Sequence, residues 1–401
     1  MTERFDLIAI GAGPAGIAAA VTAAEGGARV AIIDESPRIG GQVWHGSIPD
    51  RARPWFKRLE AAGVIVHGRT EVIDAEPGRI STTAGEFDCE HLILACGARE
   101  LMLPFPGWTL PGVTGAGALQ AFVHDGLEVP DERVVVGGTG PLLLQVAAEL
   151  RAHGADVRRV AEQTSLLRLT RFGLGLSPEK RSQATRLLTT KLRTSSWVES
   201  VHGQERVEEA VVRTPFGREH IACDRVAVGY SIVPNLELAR LLDCACSTDG
   251  VVVDDHQRTT VDGVLAAGEV CGIKGAGGAI HDGICAGLVA TGQSPERLIA
   301  RDTERDFGRR LGRTFALRPE ILRLADEDTL LCRCEDVPMR EARAHDDWTS
   351  AKLHTRCGMG SCQGRVCGSA TRTLFGWGPT GSRPPLVPVP IGQLMNERIE
   401  P

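Results

Sequence analysis

The chain has 401 residues, which is enough for two or three domains whose core needs no disulfide bonds. Its hydrophobic fraction of 42% is that of an ordinary globular protein, and its net charge of −6 without a basic run argues against nucleic acid as a partner. No apolar run reaches about 18 residues, so we expect no transmembrane helix. The first residues lack a secretory signal pattern, and we therefore expect a cytoplasmic protein whose 12 cysteines stay reduced.

The first predicted elements form a βαβ unit with the glycine pattern of a nucleotide site. Residues 5–10 and 29–33 predict buried strands, and the alanine-rich residues between them predict a helix. The turn Gly-x-Gly-x-x-Gly lets a pyrophosphate approach the backbone at the helix N-terminus. An acid about 20 residues later should bind ribose hydroxyls, and either Asp34 or Glu35 fills that role. The predicted contacts in the turn are Gly11, Gly13, Pro14, Ala15 and Gly16.

Two further turns are predicted to border the same nucleotide. Gly41 and Gln42 form a turn after the second strand, and Cys96 and Gly97 end a buried strand that begins at residue 91. Cys96 would touch the flavin region if a flavin binds, although a small buried residue is the commoner role for such a cysteine.

A second acid follows a later strand of the same predicted site. Gly268 and Glu269 come after a strand at residues 264–267 and before a helix predicted for residues 279–291. The carboxylate of Glu269 would accept a hydrogen bond from a ribityl or ribose hydroxyl. The alternative for Glu269 alone is a solvated loop residue.

A second βαβ unit begins with the strand predicted for residues 133–136. Its turn, Gly138-x-Gly140-x-x-Leu143, lacks the third glycine, and Leu143 would hold the helix away from the strand. Glu162 would be the ribose acid. Three outcomes are open, namely NAD, another adenine nucleotide, or no ligand, and a retained scaffold without a ligand is preferred.

Four cysteines near the end of the chain form two close pairs. Cys332 and Cys334 are separated by one residue, and Cys362 and Cys367 by four. Thiolates bind soft metals, and a 2Fe–2S cluster is favoured over zinc because zinc pairs usually have two-residue spacers. Unliganded thiols are the remaining alternative. Cys357 is a fifth thiol, which would be an alternate ligand, a spare, or a donor to the cluster.

The segments around these cysteines have their own predictions. Residues 302–325 are charged and are predicted to be a helix that links to the cysteine region. The Pro-rich tail after Gly376 is predicted to be extended.

Seven motifs together carry a resemblance to a known family. They are Gly11-Ala-Gly-Pro-Ala-Gly16, Gly40-Gly-Gln42, Phe105-Pro-Gly-Trp-Thr-Leu-Pro-Gly-Val113, Gly138-Thr-Gly-Pro141, Ala266-Ala-Gly-Glu-Val270, Cys332-Arg-Cys-Glu-Asp-Val337 and Arg356-Cys-Gly-Met-Gly-Ser-Cys-Gln-Gly-Arg365. Over nearly its whole length, the chain resembles the α-type flavoprotein subunit of heteromeric bacterial amino-acid and opine dehydrogenases. That group includes octopine and nopaline oxidases, hydroxyproline dehydrogenases and hydrogen cyanide synthase.

The last motif is the most specific of the seven. It is similar to the iron–sulfur tail of some glycerol-3-phosphate dehydrogenases, where the position of Cys357 need not be cysteine. This similarity supports Cys362 and Cys367 as a ligand pair, with Cys332 and Cys334 as the other pair.

The resemblance implies an α/β fold with two dinucleotide-binding domains of the glutathione-reductase type and a small C-terminal helical iron–sulfur domain. It places the FAD-binding domain at residues 1–112 and 245–300, and an NAD-binding-like domain at residues 113–244. The 2Fe–2S-binding domain is expected at residues 325–375 and the extended tail at residues 376–401.

The resemblance also implies cofactors. FAD, or ATP in the same site, is expected in the first domain, together with a 2Fe–2S cluster, and some members hold an FMN at a subunit interface. The partner would be a catalytic β subunit with its own FAD, in some complexes with a small γ subunit, and the acceptor a quinone or similar molecule.

The predicted function is that of an electron-transfer subunit. A dehydrogenase or oxidase complex would act on the CH–NH bond of an amino acid or opine, with substrate oxidation on the partner, and no residue of this chain stands out as catalytic. The alternatives are a stand-alone NAD(P)H-dependent flavin/iron–sulfur reductase and a non-catalytic ATP-binding assembly subunit. Cytoplasmic location is expected, with a peripheral position at the inner face of the cell membrane as an alternative.

Overall fold

The structure is a computed structural model that describes residues 2–44, 49–189, 191–295 and 301–395. Residues 296–300 of the predicted FAD-binding domain and residues 396–401 of the predicted tail lie outside the described residues. The chain divides into two compact units, the first made of residues 1–99, 233–309 and 380–401, and the second of residues 100–232 and 310–379.

The described residues form strands and helices that alternate through much of the chain. The strands are β1 (Glu3–Ile10), β2 (Val30–Ile33), β3 (Ile65–His67), β4 (Val72–Glu76), β5 (Arg79–Thr82), β6 (Gly85–Leu94), β7 (Ala98–Glu100), β8 (Val113–Gly115), β9 (Arg133–Gly138), β10 (Asp156–Glu162), β11 (Leu192–Thr194), β12 (Trp197–His202), β13 (Glu209–Thr214), β14 (Gly217–Ala222), β15 (Arg225–Gly229), β16 (Ile232–Pro234), β17 (Val264–Ala266), β18 (Leu330–Cys332) and β19 (Val337–Pro338). The α-helices are α1 (Pro14–Glu25), α2 (Gly41–Trp44), α3 (Arg53–Ala61), α4 (Ala116–His124), α5 (Pro141–Ala152), α6 (Leu166–Leu174), α7 (Pro178–Leu187), α8 (Glu237–Leu241), α9 (Gly275–Ala290), α10 (Arg301–Thr314), α11 (Met339–Arg343), α12 (Trp348–Thr355), α13 (Cys367–Phe375) and α14 (Ile391–Met395). Two short 3-10 helices span Gly268–Cys271 and Ile321–Arg323.

The first unit is built on a seven-stranded sheet. Its order is β3-β2-β1-β6-β5-β4, and β17 pairs in parallel with β6. The strands β3, β2, β1, β6 and β17 run parallel, whereas β4 and β5 form an antiparallel extension of β6. The register aligns Ile33, Ile10, Leu94 and Ala266 across the sheet, so the segments that follow these strands emerge at one edge.

The helices α1 and α9 pack against each other beside this sheet. α1 is rich in alanine and is buried along most of its length. At Gly283 of α9, a Cβ atom would lie 2.2 Å from the Ala15 carbonyl oxygen. The close contact therefore requires glycine in α9, and it brings the N-terminal turn of α1 against the middle of α9.

The second unit is built on a five-stranded parallel sheet with the order β11-β10-β9-β15-β8. A separate antiparallel sheet is formed by β12, β13 and β14. The same unit contains the cysteine region, in which the β18–β19 hairpin is followed by α11, α12 and α13.

Most predicted elements agree with the observed ones, and one differs in a way that bears on function. The helix predicted for residues 302–325 ends at Thr314, and residues 315–320 form a loop. Pro319 has no backbone N–H for a helical hydrogen bond and disfavours a helical conformation of the residue before it. The expectation of one long linking helix was therefore wrong.

Among the described residues, no helix combines the length and the apolar character that a membrane span needs.

Candidate functional site

The first glycine turn brings the backbone of β1 and α1 into close contact. A Cβ atom at Gly16 would lie 1.8 Å from the Gly11 carbonyl oxygen, so the turn requires glycine at this position. α1 begins at Pro14, directly after the N-cap Gly13, and its first turn carries no acidic side chain. The unpaired N–H groups at this helix start offer partial positive charge to a phosphate.

Asp34 turns its carboxylate toward this glycine turn. Its oxygens accept hydrogen bonds from the backbone N–H groups of Ala12 and Ser36. Glu35 is exposed at the same edge of the sheet. Both acids thus lie after β2, as the sequence predicts, and a hydrogen bond connects the Asp34 carboxylate to the turn.

The turn at Gly41 and Gln42 approaches the same helix start. Gly41 has a left-handed backbone conformation with φ of 56°, and a Cβ atom there would lie 2.8 Å from the Gly13 Cα atom. Gln42 is exposed in the first turn of α2. The two turns are therefore neighbours in space.

Cys96 and Gly97 follow β6 at the edge where Gly11 lies. The carbonyl oxygens of Cys96 and Gly97 accept from the side chain and the backbone N–H of Asn235, at 2.8 and 3.0 Å. Desolvation raises the pKa of the Cys96 thiol to about 12, with a further contribution from the acids nearby. This thiol is therefore protonated at neutral pH and is a poor nucleophile.

Gly268 and Glu269 bring a second acid to the same helix start. A Cβ atom at Gly268 would lie 2.7 Å from the Ala15 Cβ atom. Burial raises the pKa of the Glu269 carboxyl, although it accepts a hydrogen bond from the Gly275 N–H. Lys274, which precedes α9, forms a buried ion pair with Asp282.

These residues fit an adenine dinucleotide on structural grounds. The glycine turns leave no Cβ atoms between the backbone and a phosphate, α1 points its free N–H groups there, and acids flank the turn on both sides. The structure brings the predicted segments after β1, β2, β6 and β17 to one edge. Their individual contacts with a nucleotide remain predictions.

The acid at the second glycine turn is buried, whereas Asp34 at the first is half-buried. Leu143, at the position of the missing third glycine, is buried and lies against Gly229 at the end of β15. Glu162 is 4% exposed, and its oxygens accept hydrogen bonds from Thr139, Gly140 and Thr164. Burial raises the pKa of this carboxyl.

The five cysteines of the C-terminal region meet in space. The sulfurs of Cys332, Cys357 and Cys367 all lie within 4.8 Å of one another, and all three residues are buried. Cys362, which is half-buried, contacts both Cys367 and the exposed Cys334. The four predicted ligands therefore follow one another in space from Cys332 through Cys367 and Cys362 to Cys334, with Cys357 on the buried side.

The neighbouring thiols shift one another's pKa values. Donation from Cys357 and Cys367 lowers the pKa of Cys332 to about 2, and donation from Cys367 lowers that of Cys362 to about 5. The contact with Cys332 raises the pKa of Cys357 to about 12 and also raises that of Cys367. A sulfur-rich group with two readily formed thiolates is the donor set that soft metals bind.

Backbone N–H groups add further donors around these sulfurs. Gly358 and Glu335 donate toward Cys332, and Gly364 and Val366 donate toward Cys362. Such N–H···S contacts stabilise negative charge on sulfur and raise the potential of a bound cluster.

One tryptophan shapes this loop, and sequence reasoning had not singled it out. Cβ atoms at Gly358 and Gly364 would lie 2.5 and 3.0 Å from the Trp348 ring, and both glycines have φ near 80°. The sequence signal that could have indicated this role is an aromatic residue nine positions before Cys357 together with the two glycines of the loop.

Comparisons with known proteins agree with this geometry. The family described as Pyridine nucleotide-disulphide oxidoreductase matches residues 5–284. The opine oxidase A chain of Rhizobium meliloti (strain 1021) is 32% identical, with 99% of each chain covered. The hydrogen cyanide synthase subunit HcnB of Pseudomonas protegens is 30% identical, with 90% of this chain and 89% of the relative covered.

Solved structures share the fold at lower identity. L-proline dehydrogenase from P. horikoshii has a TM-score of 0.71 at 19% identity, and the match covers 98% of this chain and 80% of that one. Thioredoxin reductase of T. acidophilum has a TM-score of 0.57 at 22% identity, covering 72% of this chain and 98% of that one. The predicted α/β fold with dinucleotide-binding domains is confirmed, as is the predicted oxidoreductase class.

Proposed function

Since this chain belongs to the pyridine nucleotide-disulphide oxidoreductase family, and within it to the group that contains the opine oxidase A chains and HcnB of hydrogen cyanide synthase, we propose that it is the electron-transfer subunit of a heteromeric dehydrogenase or oxidase. The complex would act on the CH–NH bond of an amino acid or opine. A catalytic β subunit with its own FAD would oxidise the substrate, and a small γ subunit would be a further component.

The observation that carries this proposal is the group of five thiols in a chain that also has a dinucleotide fold. A flavin and a 2Fe–2S cluster would supply two-electron and one-electron transfer, respectively. The first glycine turn, Asp34 and Glu269 would hold FAD, or ATP in its place. Cys332, Cys334, Cys362 and Cys367 would ligate the cluster, because it needs four thiolates and these four follow one another in space from Cys332 through Cys367 and Cys362 to Cys334.

The residues of the chain contribute binding and orientation. The N–H groups at the start of α1 would neutralise the pyrophosphate, and Asp34 and Glu269 would orient the sugar hydroxyls. The N–H donors near Cys332 and Cys362 would stabilise charge on the ligating sulfurs. Cys96, whose thiol stays protonated, would pack beside the nucleotide without reacting.

The buried Leu143 and Glu162 at the second turn favour a relay over an NAD(P)H-dependent reductase. A reductase of this fold must admit a nicotinamide dinucleotide at the second βαβ unit, where Leu143 and the buried Glu162 stand. Electrons would therefore arrive from the partner and leave to a quinone or similar acceptor. An FMN at the subunit interface and a position at the inner face of the cell membrane belong to the same proposal.

A cofactor inventory of the copurified complex tests the proposal. We expect flavin, iron and acid-labile sulfide with this chain, and we expect the visible spectrum to bleach with the substrate of the complex but not with NADH. Rapid bleaching of the isolated chain by NADH would establish the reductase instead. A colourless chain that contains only ATP would establish the assembly subunit.

A further inference from the structure

The two βαβ units of this chain provide an internal comparison. After β2, Asp34 and Ser36 are half-buried and Glu35 is exposed. At the end of β10, the last residue and the two that follow it are all buried, with exposed fractions of 4% for Glu162, 1% for Gln163 and 4% for Thr164. The second edge is therefore covered by another part of the chain.

The cover is the loop that follows α10. The Gln163 side chain is held by it on both sides, because its oxygen accepts from the Arg318 N–H at 2.9 Å and its nitrogen donates to the Ala316 carbonyl at 3.1 Å. The Thr139 hydroxyl, in the glycine turn itself, lies 3.5 Å from the Phe315 carbonyl oxygen. Backbone groups of the loop thus bond to the side chains that line the second site.

Two side-chain contacts, one at each end, hold this loop in position. The ring of Phe315 meets that of Phe172 edge-on, with centroids 5.2 Å apart. The Arg318 guanidinium lies over the Trp197 ring, 5.0 Å from its centre. The contacts join residues distant in sequence, so local chain preference alone does not account for the position of the loop.

We propose that residues 315–318 are the resident ligand of the second dinucleotide site, which binds this peptide of its own chain in place of the adenosine of a dinucleotide. In a dinucleotide fold, the acid after the second strand takes the ribose hydroxyls and the adenine lies beside it. Here the Glu162 carboxylate already accepts hydrogen bonds from Thr139, Gly140 and Thr164. Gln163, the next residue, forms hydrogen bonds to the loop through both its amide oxygen and its amide nitrogen, as an amide side chain does when it recognises the edge of a base.

The second site also helps to hold the cysteine region in place. The loop leads directly into the cysteine region, which has a second attachment to the same unit where the Trp108 indole donates to the Leu330 carbonyl at 2.6 Å. Arg333 lies over the same indole, 5.0 Å from its centre. The former nucleotide site thus holds the start of the segment that carries Cys332 and Cys334.

Hydrogen exchange on the full chain, read by mass spectrometry with and without millimolar NADH, tests the proposal. In the wild type, we expect slow exchange in peptides that cover residues 315–318 and no protection of residues 138–143 by NADH. Gln163→Ala should speed exchange in the 315–318 peptides by about tenfold, because it removes two hydrogen bonds. Gln183→Ala, the same change at an exposed position of α7, should leave those rates unchanged.

If the Gln163 variant does not fold, the measurement on the wild type still tests the proposal. Fast exchange of residues 315–318 in the wild type would overturn it. So would NADH protection of the second glycine turn accompanied by faster exchange of the loop, since a dinucleotide would then have displaced the peptide. Equal exchange rates of residues 315–318 in Gln163→Ala and Gln183→Ala would show that the Gln163 side chain does not hold the loop, and would overturn this part of the proposal.

Discussion

At the scale of single residues, the thiols of the cysteine group differ in burial. Cys334 is exposed and Cys357 is fully buried, although both lie within the same group of sulfurs. A two-iron cluster needs two thiolates on each iron, and in the proposed site the pairs Cys332/Cys334 and Cys362/Cys367 would supply them. Cys357 would then donate its S–H to a ligating sulfur. A single ion held by Cys332, Cys357 and Cys367 is the competing arrangement.

The first prediction distinguishes these arrangements. Cys362→Ser should lower iron per chain by about tenfold or more, because a ligand sulfur is lost, and should leave flavin content unchanged. Cys357→Ala, the matched control in the same loop, should keep iron and sulfide. Metal analysis and visible absorption of anaerobically purified protein provide the measurement. Loss of iron in Cys357→Ala with retention in Cys362→Ser would replace the four-ligand set by the buried triad.

The second prediction concerns the first glycine turn. Gly16→Ala places a Cβ atom 1.8 Å from the Gly11 carbonyl oxygen, so α1 must move away from β1. We expect a loss of about 3 kcal/mol in unfolding free energy and the disappearance of bound flavin or nucleotide. Gly173→Ala, where no atom lies within 4 Å, is the control and should keep both properties. Flavin retained at wild-type content in Gly16→Ala would contradict this role of the turn.

At the scale of elements, the parallel strands of both sheets end at the two glycine turns, while ion pairs join the starts of neighbouring strands. Arg133, at the start of β9, binds the Asp224 carboxylate through its side chain at 2.6 Å and through its backbone N–H at 2.9 Å. Asp224 immediately precedes β15, the neighbour of β9 in the sheet. The ion pair therefore joins the starts of β9 and β15, at the edge of the sheet opposite the glycine turn.

The third prediction follows from this pair and depends on pH. Arg133 lowers the pKa of Asp224 to about 2, below its ordinary value of 3.8. A lowered carboxyl pKa stabilises the folded state above the ordinary value, and the contribution disappears as pH falls through about 2. Asp224→Asn should cost about 1 kcal/mol at pH 6, because the pair is partly exposed, and less at pH 3.

Urea unfolding at the two pH values measures the difference. Asp262→Asn, at an exposed loop position, serves as the control and should match the wild type at both. A cost for Asp224→Asn that is equal at pH 6 and pH 3 would show that the charge pair is not its source.

At the scale of the whole molecule, the contacts divide the chain into two units, and the predicted cofactors divide with them. The dinucleotide residues belong to the first unit, whereas the thiols belong to the second. The loop 315–318 binds its site within the second unit, so the second dinucleotide fold and the cysteine region form one compact body. We expect the two units to respond separately to loss of a cofactor.

The fourth prediction tests this division by metal removal. Chelation of iron from the anaerobic protein should speed hydrogen exchange in peptides that cover residues 330–367, because metal binding is coupled to folding of its ligand loops. Peptides from β1 and α1 should keep their rates. Equal acceleration in both regions would mean that the cluster stabilises the chain as a whole.

The sequence by itself determined the two βαβ units, the first nucleotide turn and the family, because each rests on local patterns: glycines at fixed spacing, apolar strands, and cysteines in close pairs. It did not decide between Asp34 and Glu35, since both acids follow the same strand, and only the tertiary structure turns Asp34 onto Ala12. The structure alone brought Cys357 beside Cys332 and laid residues 315–318 across Gln163. These contacts join residues from 25 to 155 positions apart, and such long-range packing leaves no periodic signal in a single chain.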